Sequence, residues 1–502
     1  MTLRTLPDTY ELPRALYTAE QVRGFDRLAI EHFGIPGLTL MERAGQTAFD
    51  LIRRRWPDAR RLSVLAGTGN NGGDGFVVAR LAHEAGLDVR VLQLGDPAGL
   101  QGDAASNASR WQEMGGDWRP YAGVPAETDL IVDALLGTGL EREVGGQWAE
   151  AIVAANTHRA PCLAIDIPSG LHSDNGAVLG IAIRADATIS FIGLKLGLFT
   201  GEGPGYAGQV LFAGLDVPAA VYASSILSAR RIDWAKQSAL LAPRSRTAHK
   251  GHFGHVLVIG GNHGMGGAAR LAAEAALRVG SGLVSVATRP EHVPALLSAR
   301  PELMVHGVDD PAALQSILRR ASVIAVGPGL GQDDWGRGLW AAAFDARRPL
   351  VVDADALRML AMEPVRREDW VLTPHPGEAA TMLGLCNAEL NADRPGAARR
   401  LHKRYGGSVV LKGAGSMVVS EGSVPPALCT DGNPGMASGG MGDVLTGVIA
   451  GLLAQGLALR DASECGVSLH AAAADAAAAA GGERGLLAGD VIGQLRSLVN
   501  PE

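Results

Sequence analysis

Short apolar runs, each ended by glycines or a single acid and followed by a helical stretch, recur along the whole chain. That alternation is the strongest constraint on the fold. Apolar runs without polar alternation are strands buried on both faces, and strands separated by helices pair in parallel. In the first half the runs are 62–66, 88–94, 129–132, 162–165, 187–192 and 209–212, with helices expected over 19–33, 38–54 and 74–85. The second half restarts at 255–259 and continues through 283–287, 323–326, 350–352, 370–373 and 408–411. It ends in helices that include the alanine-rich 462–480. At 502 residues the chain exceeds one hydrophobic core. The alternation lapses between 215 and 250, so the expected domains are 1–225 and 226–502.

Charge excludes several functions. Lys+Arg 45 against Asp+Glu 52 gives −7 with no long basic run. The densest cluster, Arg53, Arg54, Arg55, Arg60 and Arg61, brackets a helix end and reads as a solvated face. Nucleic acid and anionic membrane are therefore not expected partners. The longest uncharged stretch, 444–459, has 16 residues, short of the ~20 needed to span a bilayer. Arg4, Asp8, Glu11 and Arg14 punctuate the opening residues, so no signal segment is expected. Cys162, Cys386, Cys429 and Cys465 show no CxxC spacing, which suggests neither zinc nor a disulfide framework. These features describe a soluble, cytoplasmic protein.

The chemistry-bearing residues fall in two constellations. In the first, the run 62–66 leads into Gly67-Thr68-Gly69-Asn70-Asn71-Gly72-Gly73-Asp74-Gly75 and a helix. A strand, a glycine turn and a helix N-terminus make an anion site. Gly67, Gly69 and Gly72 satisfy GxGxxG, so an ordinary dinucleotide-binding domain competes. Against it, side-chain amides crowd the turn and Asp74 stands where a pyrophosphate would rest. Asp74 as a plain helix cap stays open. Asp133 and Asp166 close two further strands, and ligands of open α/β sheets bind beyond the carboxyl ends of strands. Asn71, Asp133 and Ser169 would supply hard oxygen ligands to a cation.

These loops, together with Tyr17-Thr18-Ala19-Glu20-Gln21-Val22, Leu38-Thr39-Leu40-Met41-Glu42-Arg43-Ala44-Gly45 and Phe191-Ile192-Gly193-Leu194-Lys195, resemble the NAD(P)H-hydrate epimerase family over roughly residues 15–215. The resemblance implies a Rossmann-like three-layer fold and the hydrated cofactor NAD(P)HX as substrate. It implies a potassium ion at Asn71, Asp133 and Ser169. Substrate contacts would come from Asn70, Asn71, Gly72, Gly73, Asp74, Gly137, Thr138, Gly139, Leu140, Glu141, Arg142, Glu143 and Asp166. By its location Asp166 is the expected acid–base residue. Lys195 reads as a phosphate contact or a solvated lysine.

The second constellation runs through Gly280-Ser281-Gly282, Gly327-Pro328-Gly329, Val352-Asp353, Thr373-Pro374-His375-Pro376-Gly377-Glu378 and Lys412-Gly413-Ala414-Gly415-Ser416. It ends in Asn433-Pro434-Gly435-Met436-Ala437-Ser438-Gly439-Gly440-Met441-Gly442-Asp443 before a strong helix. Backbone N–H groups and a carboxylate at a helix start can hold phosphate oxygens while the acid takes a proton from a hydroxyl. Asp443 as a plain cap and His375 as a turn residue stay open. Lysines number five against 40 arginines, so the lysine at 412 suggests a position where a compact ammonium fits and a planar fork does not.

This stretch is similar to the ribokinase-like superfamily and resembles the ADP-dependent NAD(P)H-hydrate dehydratase family over about 235–500. The resemblance implies a ribokinase-like α/β domain with NAD(P)HX at Ser281, Gly329, His375 and Asp443, the last catalytic. ADP with Mg2+ would sit at Lys412, Gly413, Ala414, Gly415, Ser416 and Gly442. The whole would be a bifunctional repair enzyme, expected as a homo-oligomer. It would epimerise R- and S-NAD(P)HX and dehydrate the S form to NAD(P)H, with AMP and phosphate as by-products. A C-terminal small-molecule kinase joined to an N-terminal nucleotide-binding module is the competing reading.

Overall fold

The computed structural model describes residues 12–421 and 424–500. Arg4, Asp8 and Glu11, on which the expectation of no signal segment rests, lie outside the described residues. The chain divides into two compact units, Met1–Arg230 and Arg231–Glu502.

The first unit is built on strands β1 (Arg61–Ala66), β2 (Asp88–Gln93), β3 (Asp117–Pro120), β4 (Leu130–Ala134), β5 (Cys162–Ile165), β6 (Ala187–Phe191) and β7 (Gln209–Ala213). Their spatial order is β3-β2-β1-β4-β5-β6-β7, with every neighbouring pair parallel. Because side chains alternate along a strand, Leu62, Val64, Leu130 and Val132 enter one core. Leu65 and Ile131 enter the other. Helices α1 (Ala19–Glu31), α2 (Gly37–Arg55) and α3 (Asn70–Glu84) cover the first face, and α4 (Gly146–Thr157) covers the second. The result is the three-layer, Rossmann-like arrangement. A short strand, Ala15–Tyr17, pairs in parallel with Leu194–Lys195, setting Tyr17 opposite Lys195.

The second unit contains β8 (His255–Ile259), β9 (Leu283–Thr288), β10 (Met304–Gly307), β11 (Val323–Val326), β12 (Leu350–Val352), β13 (Trp370–Leu372), β14 (Ser408–Leu411), β15 (Ser416–Val419) and β16 (Ala427–Cys429). The order is β10-β9-β8-β11-β12-β13-β14-β15-β16. Pairing is parallel as far as β14, and β15 and β16 continue as an antiparallel meander. Helices α5 (Gly266–Arg278), α6 (Pro376–Leu383), α7 (Arg394–Tyr405), α8 (Met441–Ala454), α9 (Leu459–Gly481) and α10 (Ala488–Leu498) flank it. The uncharged run 444–459 is explained by α8, which is buried without a break from Val444 to Leu453. No helix among the described residues is long and apolar enough to cross a membrane.

Helices α5 and α8 meet backbone to backbone. A Cβ placed on Gly447 would lie 1.9 Å from the Ala272 carbonyl oxygen. Gly447→Ala should therefore cost roughly 1–3 kcal/mol through overpacking. Gly493→Ala, in α10 with nothing within 4 Å of the new methyl, should instead gain about 0.5–1 kcal/mol by stiffening the unfolded chain. Urea unfolding of the two variants checks the contrast.

Candidate active sites

Strand β1 lies between β2 and β4, where the order of the first sheet reverses, so the loops after β1 and β4 part and open a crevice. The loop after β1 is shorter than the sequence suggested. Helix α3 begins at Asn70 rather than 74, which turns Asn70, Asn71, Gly72 and Gly73 into its first turn. The reason is steric: a Cβ on Gly72 would stand 2.1 Å from the Gly67 carbonyl oxygen, so glycine lets the turn close early. The N-cap is Gly69, without a capping side chain. Asp74 is thus no helix cap, and the first-turn N–H groups lack a side-chain acceptor there.

Asn71, Asp133 and Ser169 converge around Leu136. The Asn71 Nδ2 donates to the Leu136 carbonyl at 3.2 Å, and the Leu136 N–H donates to Ser169 Oγ at 2.8 Å. Ser169 in turn donates from Oγ to Asp133 Oδ1 at 2.6 Å and from its backbone N–H to Oδ2 at 2.8 Å. Asp133 is fully buried. Burial pushes its carboxyl up to about 6, against the pull of the Ser169 and Leu135 hydrogen bonds. Asn71 Oδ1 is buried without a hydrogen-bond partner among the described residues. An orphaned amide oxygen beside a buried carboxylate is a cation-ready set.

Lys195 is neither a solvated lysine nor an outward-facing phosphate contact. Its side chain is fully buried and its Nζ is ion-paired with Asp166 Oδ1. The same ammonium donates to the Phe191 carbonyl at 3.0 Å and to Ser190 Oγ at 3.2 Å. Asp166 Oδ1 also accepts the Phe191 N–H at 3.0 Å. Its backbone is left-handed, φ 67°, a strained position for a non-glycine residue. Two more carboxyls feel this pair. Burial drives Asp74 well above its ordinary value, and the charges of Asp166 and Asp26 add to that. Asp26, on α1, is pushed up to about 6 by burial, with Lys195 opposing. Sequence reasoning missed Asp26; its position one turn after Val22, whose side chain packs at Gly193, was the available signal.

Of the expected substrate loop, Gly137 lies against Asn71, and the Thr138 carbonyl accepts from Arg23 at 3.2 Å. Leu140 packs on the core of the second face. Glu141, Arg142 and Glu143 are exposed.

In the second unit the strand order reverses at β8 and β11. Asp353, just beyond β12, is buried and accepts from Lys412 Nζ at 2.8 Å and from Thr446 Oγ1 at 2.8 Å. Burial works to raise its carboxyl, but the Lys412 charge and hydrogen bond hold it below the ordinary value. Gly442 stands over this pair, with its would-be Cβ 3.1 Å from Lys412 Nζ. Asp443, in the first turn of α8, is not its N-cap, which is Gly440. Burial and the Asp353 charge push it up to about 7, with Lys412 opposing. Buried Glu378 also senses Lys412 and Asp353. Asp353 and Glu378 were on the page as motif residues but were not singled out.

Gly329 sits at the carboxyl edge, after β11, with its would-be Cβ 2.7 Å from Met265 Cβ. His375 is the N-cap of α6, its Nδ1 accepting the Gly377 N–H at 3.0 Å, with the side chain half-exposed. Lys412 forms the near side of a turn in which Gly413 (φ 133°) and Gly415 (φ 66°) are left-handed. Ser416 Oγ donates to the Gly413 carbonyl at 3.0 Å and closes it, with Ala414 exposed at the tip. Ser281 is not brought to this cluster. It precedes β9, at the amino edge, and its Oγ is 3.0 Å from the would-be Cβ of Gly451. Eight residues of α8, about 12 Å, separate Gly451 from Asp443. The GSG spacing marks a turn entering a strand, and a turn that enters a parallel strand lies at the amino edge of the sheet, away from the carboxyl-edge cluster.

Two α/β units, one Rossmann-like and one ribokinase-like, each with a lysine among carboxyls at its carboxyl edge, define a two-site enzyme. Residues 37–197 match the family described as YjeF-related protein N-terminus, and residues 256–496 the NAD(P)H-hydrate dehydratase family. The bifunctional NAD(P)H-hydrate repair enzyme Nnr of Coxiella burnetii is 47% identical over 97% of this chain and 99% of its own. A ribokinase-like superfamily protein of Enterococcus faecalis covers 55% of this chain and 96% of its own, at 28% identity and TM-score 0.50. A Bacillus subtilis ADP/ATP-dependent NAD(P)H-hydrate dehydratase, co-crystallised with ATP and Mg2+, covers 53% of this chain and 95% of its own, at 28% identity and TM-score 0.47. The chain belongs to the bifunctional NAD(P)H-hydrate repair enzyme family, an epimerase unit followed by a dehydratase unit.

The raised carboxyl of Asp443 has a thermodynamic consequence. A folded value of about 7 against an ordinary 3.8 means that its contribution is fully present below 3.8 and lost as pH rises through 7. Asp443→Asn removes the loss. The variant's gain in stability over the wild type should grow by on the order of 1–3 kcal/mol between pH 4 and pH 8, read from urea unfolding at the two pH values.

Proposed function

We propose that the first unit interconverts R- and S-NAD(P)HX. The second unit dehydrates the S epimer at the expense of ADP, giving NAD(P)H, AMP and phosphate. The observation that carries the reading is that each unit sets one lysine, Lys195 buried and Lys412 half-buried, among several carboxyls at a sheet's carboxyl edge. Epimer exchange needs one proton taken and one given. Asp166, oriented through Oδ1 by Lys195 and the Phe191 N–H, takes the proton of the C6 hydroxyl as the bond between C6 and the ring nitrogen breaks. Asp74, held protonated by burial and its acidic neighbours, gives a proton to that nitrogen. Closure on the other face reverses the transfers. The first turn of α3, with its unblocked N–H groups, suits the dinucleotide phosphates.

Potassium fits the set around Leu136, because Asn71 Oδ1 is a buried oxygen lacking a partner among the described residues and Asp133 is a buried carboxylate. Asn71, Asp133 and Ser169 would hold it, and a bound cation would supply positive charge beside the phosphates.

In the second unit Asp443 accepts the C6 hydroxyl proton as that oxygen takes the terminal phosphoryl group of Mg–ADP, releasing AMP. Phosphate then leaves as the C6–O bond breaks and the C5 proton passes to the departing phosphate, which regenerates the reduced ring. Hydroxide is a poor leaving group and phosphate a good one. Lys412, locked on Asp353, keeps positive charge against Gly442 and the α8 N-terminus, where nucleotide phosphates would lie. A kinase that stopped at the phosphorylated alcohol would release it as a stable product, detectable by mass spectrometry.

Asp443→Asn should lower ADP-dependent dehydration by about 10²–10⁴-fold while epimer exchange persists. Both are followed by supplying the two epimers with and without ADP and recording reduced-cofactor absorbance. Equal loss of both activities in the folded variant would refute the division of labour. Asp133→Ala should slow epimer exchange and spare dehydration of the S epimer. Wild-type exchange should fall when potassium is replaced by a bulky organic cation at equal ionic strength, which keeps screening constant. Full exchange without potassium would reject the ion site.

A further inference from the structure

Helix α1 buries Ala19, Val22, Phe25 and Ala29, a stripe at helical spacing that accounts for the helix. Arg23 lies beside the stripe, and the stripe does not account for it. Its side chain is half-buried, and its NH1 group donates to the Thr138 carbonyl at 3.2 Å. Acids stand three residues before it, Glu20, and three after it, Asp26, the spacing at which helix ion pairs form. Among the described residues Arg23 pairs with neither, and its hydrogen bond is to Thr138 alone. A guanidinium carries several N–H donors and a charge that is always present. Only one of those donors is used there, and no carboxylate is bonded to the charge.

The helix that carries Arg23 is firmly placed. It follows the strand pairing that sets Tyr17 opposite Lys195. Thr18 and Gln21 close a capping box at its start, and the Ala19 N–H donates to Asp174 Oδ1 at 2.7 Å. Val22 packs at Gly193, 2.9 Å from the Cβ that glycine lacks. From this position, beside the residues that follow β6, the arginine reaches the loop after β4.

The same loop touches α3. Gly137 lies against Asn71, with 3.4 Å between its would-be Cβ and the Asn71 Cβ. Asn71 belongs to the first turn of α3, and Thr138 is one residue, about 3.8 Å, further along the chain from Gly137. The anchor of Arg23 is thus next to the turn that suits the dinucleotide phosphates. The Thr138 carbonyl also accepts from Ser173 Oγ at 3.4 Å, so it keeps a partner without Arg23. Charge points the same way. Lys195 is ion-paired with Asp166, and Asp26 and Asp74 add further acid to this edge. A pyrophosphate entering there needs a cation that is not already bonded to a carboxylate.

We propose that Arg23 is a substrate-binding residue that holds the pyrophosphate of NAD(P)HX, across the Gly137–Thr138 loop from the first turn of α3. The inference rests on the reading of the first unit as the epimerase. A guanidinium suits the task because its rigid fork keeps one N–H on a carbonyl and offers others to phosphate oxygens. NADHX and NADPHX share the pyrophosphate, so Arg23 serves both alike.

The test measures KM and kcat for epimer exchange in the full chain by chromatography of the two epimers. Circular dichroism and ADP-dependent dehydration are the folding controls. The substrates are NADHX, NADPHX and the hydrate of reduced nicotinamide riboside, which has the same reacting ring and no phosphate. Arg23→Met should raise KM for both dinucleotides about tenfold or more. Its kcat should stay within about threefold of wild type, and its KM for the riboside hydrate should not change. Arg23→Lys keeps the charge and should lose less. Arg53→Met removes an equal charge from the exposed end of α2 and should alter none of these values. If the wild type exchanges no epimers, the epimerase reading falls and the Arg23 role with it. If the wild type exchanges them and Arg23→Met leaves KM for NADHX unchanged, the Arg23 proposal alone is overturned. A rise confined to NADPHX, an equal rise for the riboside hydrate, or an equal rise in Arg53→Met would also overturn it. Those results would assign Arg23, in turn, to the 2′-phosphate, to support of the loop or to the net field of the protein.

Discussion

A single ammonium, buried in the first unit and half-buried in the second, set among more carboxyls than it can neutralise governs each unit. Lys195 is ion-paired with Asp166 and feels Asp26 and Asp74. Lys412 is bonded to Asp353 and feels Glu378 and Asp443. In a low-dielectric interior one cation stabilises one carboxylate, and the acids in excess are driven toward protonation. The charge count therefore sorts each cluster into a paired acid and one or more raised ones, before any substrate enters.

The sheets exist to bring those groups together. A parallel sheet buried on both faces must place polar side chains at its ends, and only the carboxyl ends feed into helix N-termini with open N–H groups. Helix α1 and the segments after β1 and β5 supply the acids of the first cluster, and loops after β12, β13 and β14 with the start of α8 supply the second. The lysines arrive by different routes. Lys195 is set by the short strand pairing of Tyr17 with Lys195, and Lys412 by the last parallel strand before the sheet turns antiparallel.

How much of this was legible follows from what each signal depends on. The twelve runs read as strands are all strands, because an apolar run bounded by turn residues is a local signal; β15 and β16, though largely buried, are too short and too closely flanked by turns to give one. Strand β3, Asp-Trp-Arg-Pro, was not legible: it lies at the sheet edge, half-exposed or exposed along its length, and ends in a proline that cannot donate to a ladder. Strand β10 is likewise an edge strand without a buried face. The loop residues Asn71, Asp133 and Ser169 were found because strand ends and glycine turns are local features. The burial of Lys195, the participation of Asp26 and the distance of Ser281 from Asp443 depend on tertiary register. A pairing two residues long leaves no periodic trace.

The two clusters differ in where the ion pair falls, and that difference matches what the first step of each reaction asks of its carboxyls. Epimer exchange must take one proton and give another within one turnover, so it needs a base and an acid together. In the first unit the lysine binds the proposed base, Asp166, directly, and burial and the acidic neighbours raise the carboxyl of the unpaired Asp74. Phosphoryl transfer to a hydroxyl needs a single proton removed. In the second unit the lysine is bonded instead to Asp353, and Asp443 is left at about 7. An acceptor poised there is substantially ionised at neutral pH yet remains basic enough to draw a proton from a hydroxyl, the compromise that Brønsted behaviour favours. Had Lys412 paired with Asp443 itself, that carboxylate would be more fully ionised and a weaker base. Displacing the ion pair by one residue in space is what separates an acid–base pair from a lone acceptor.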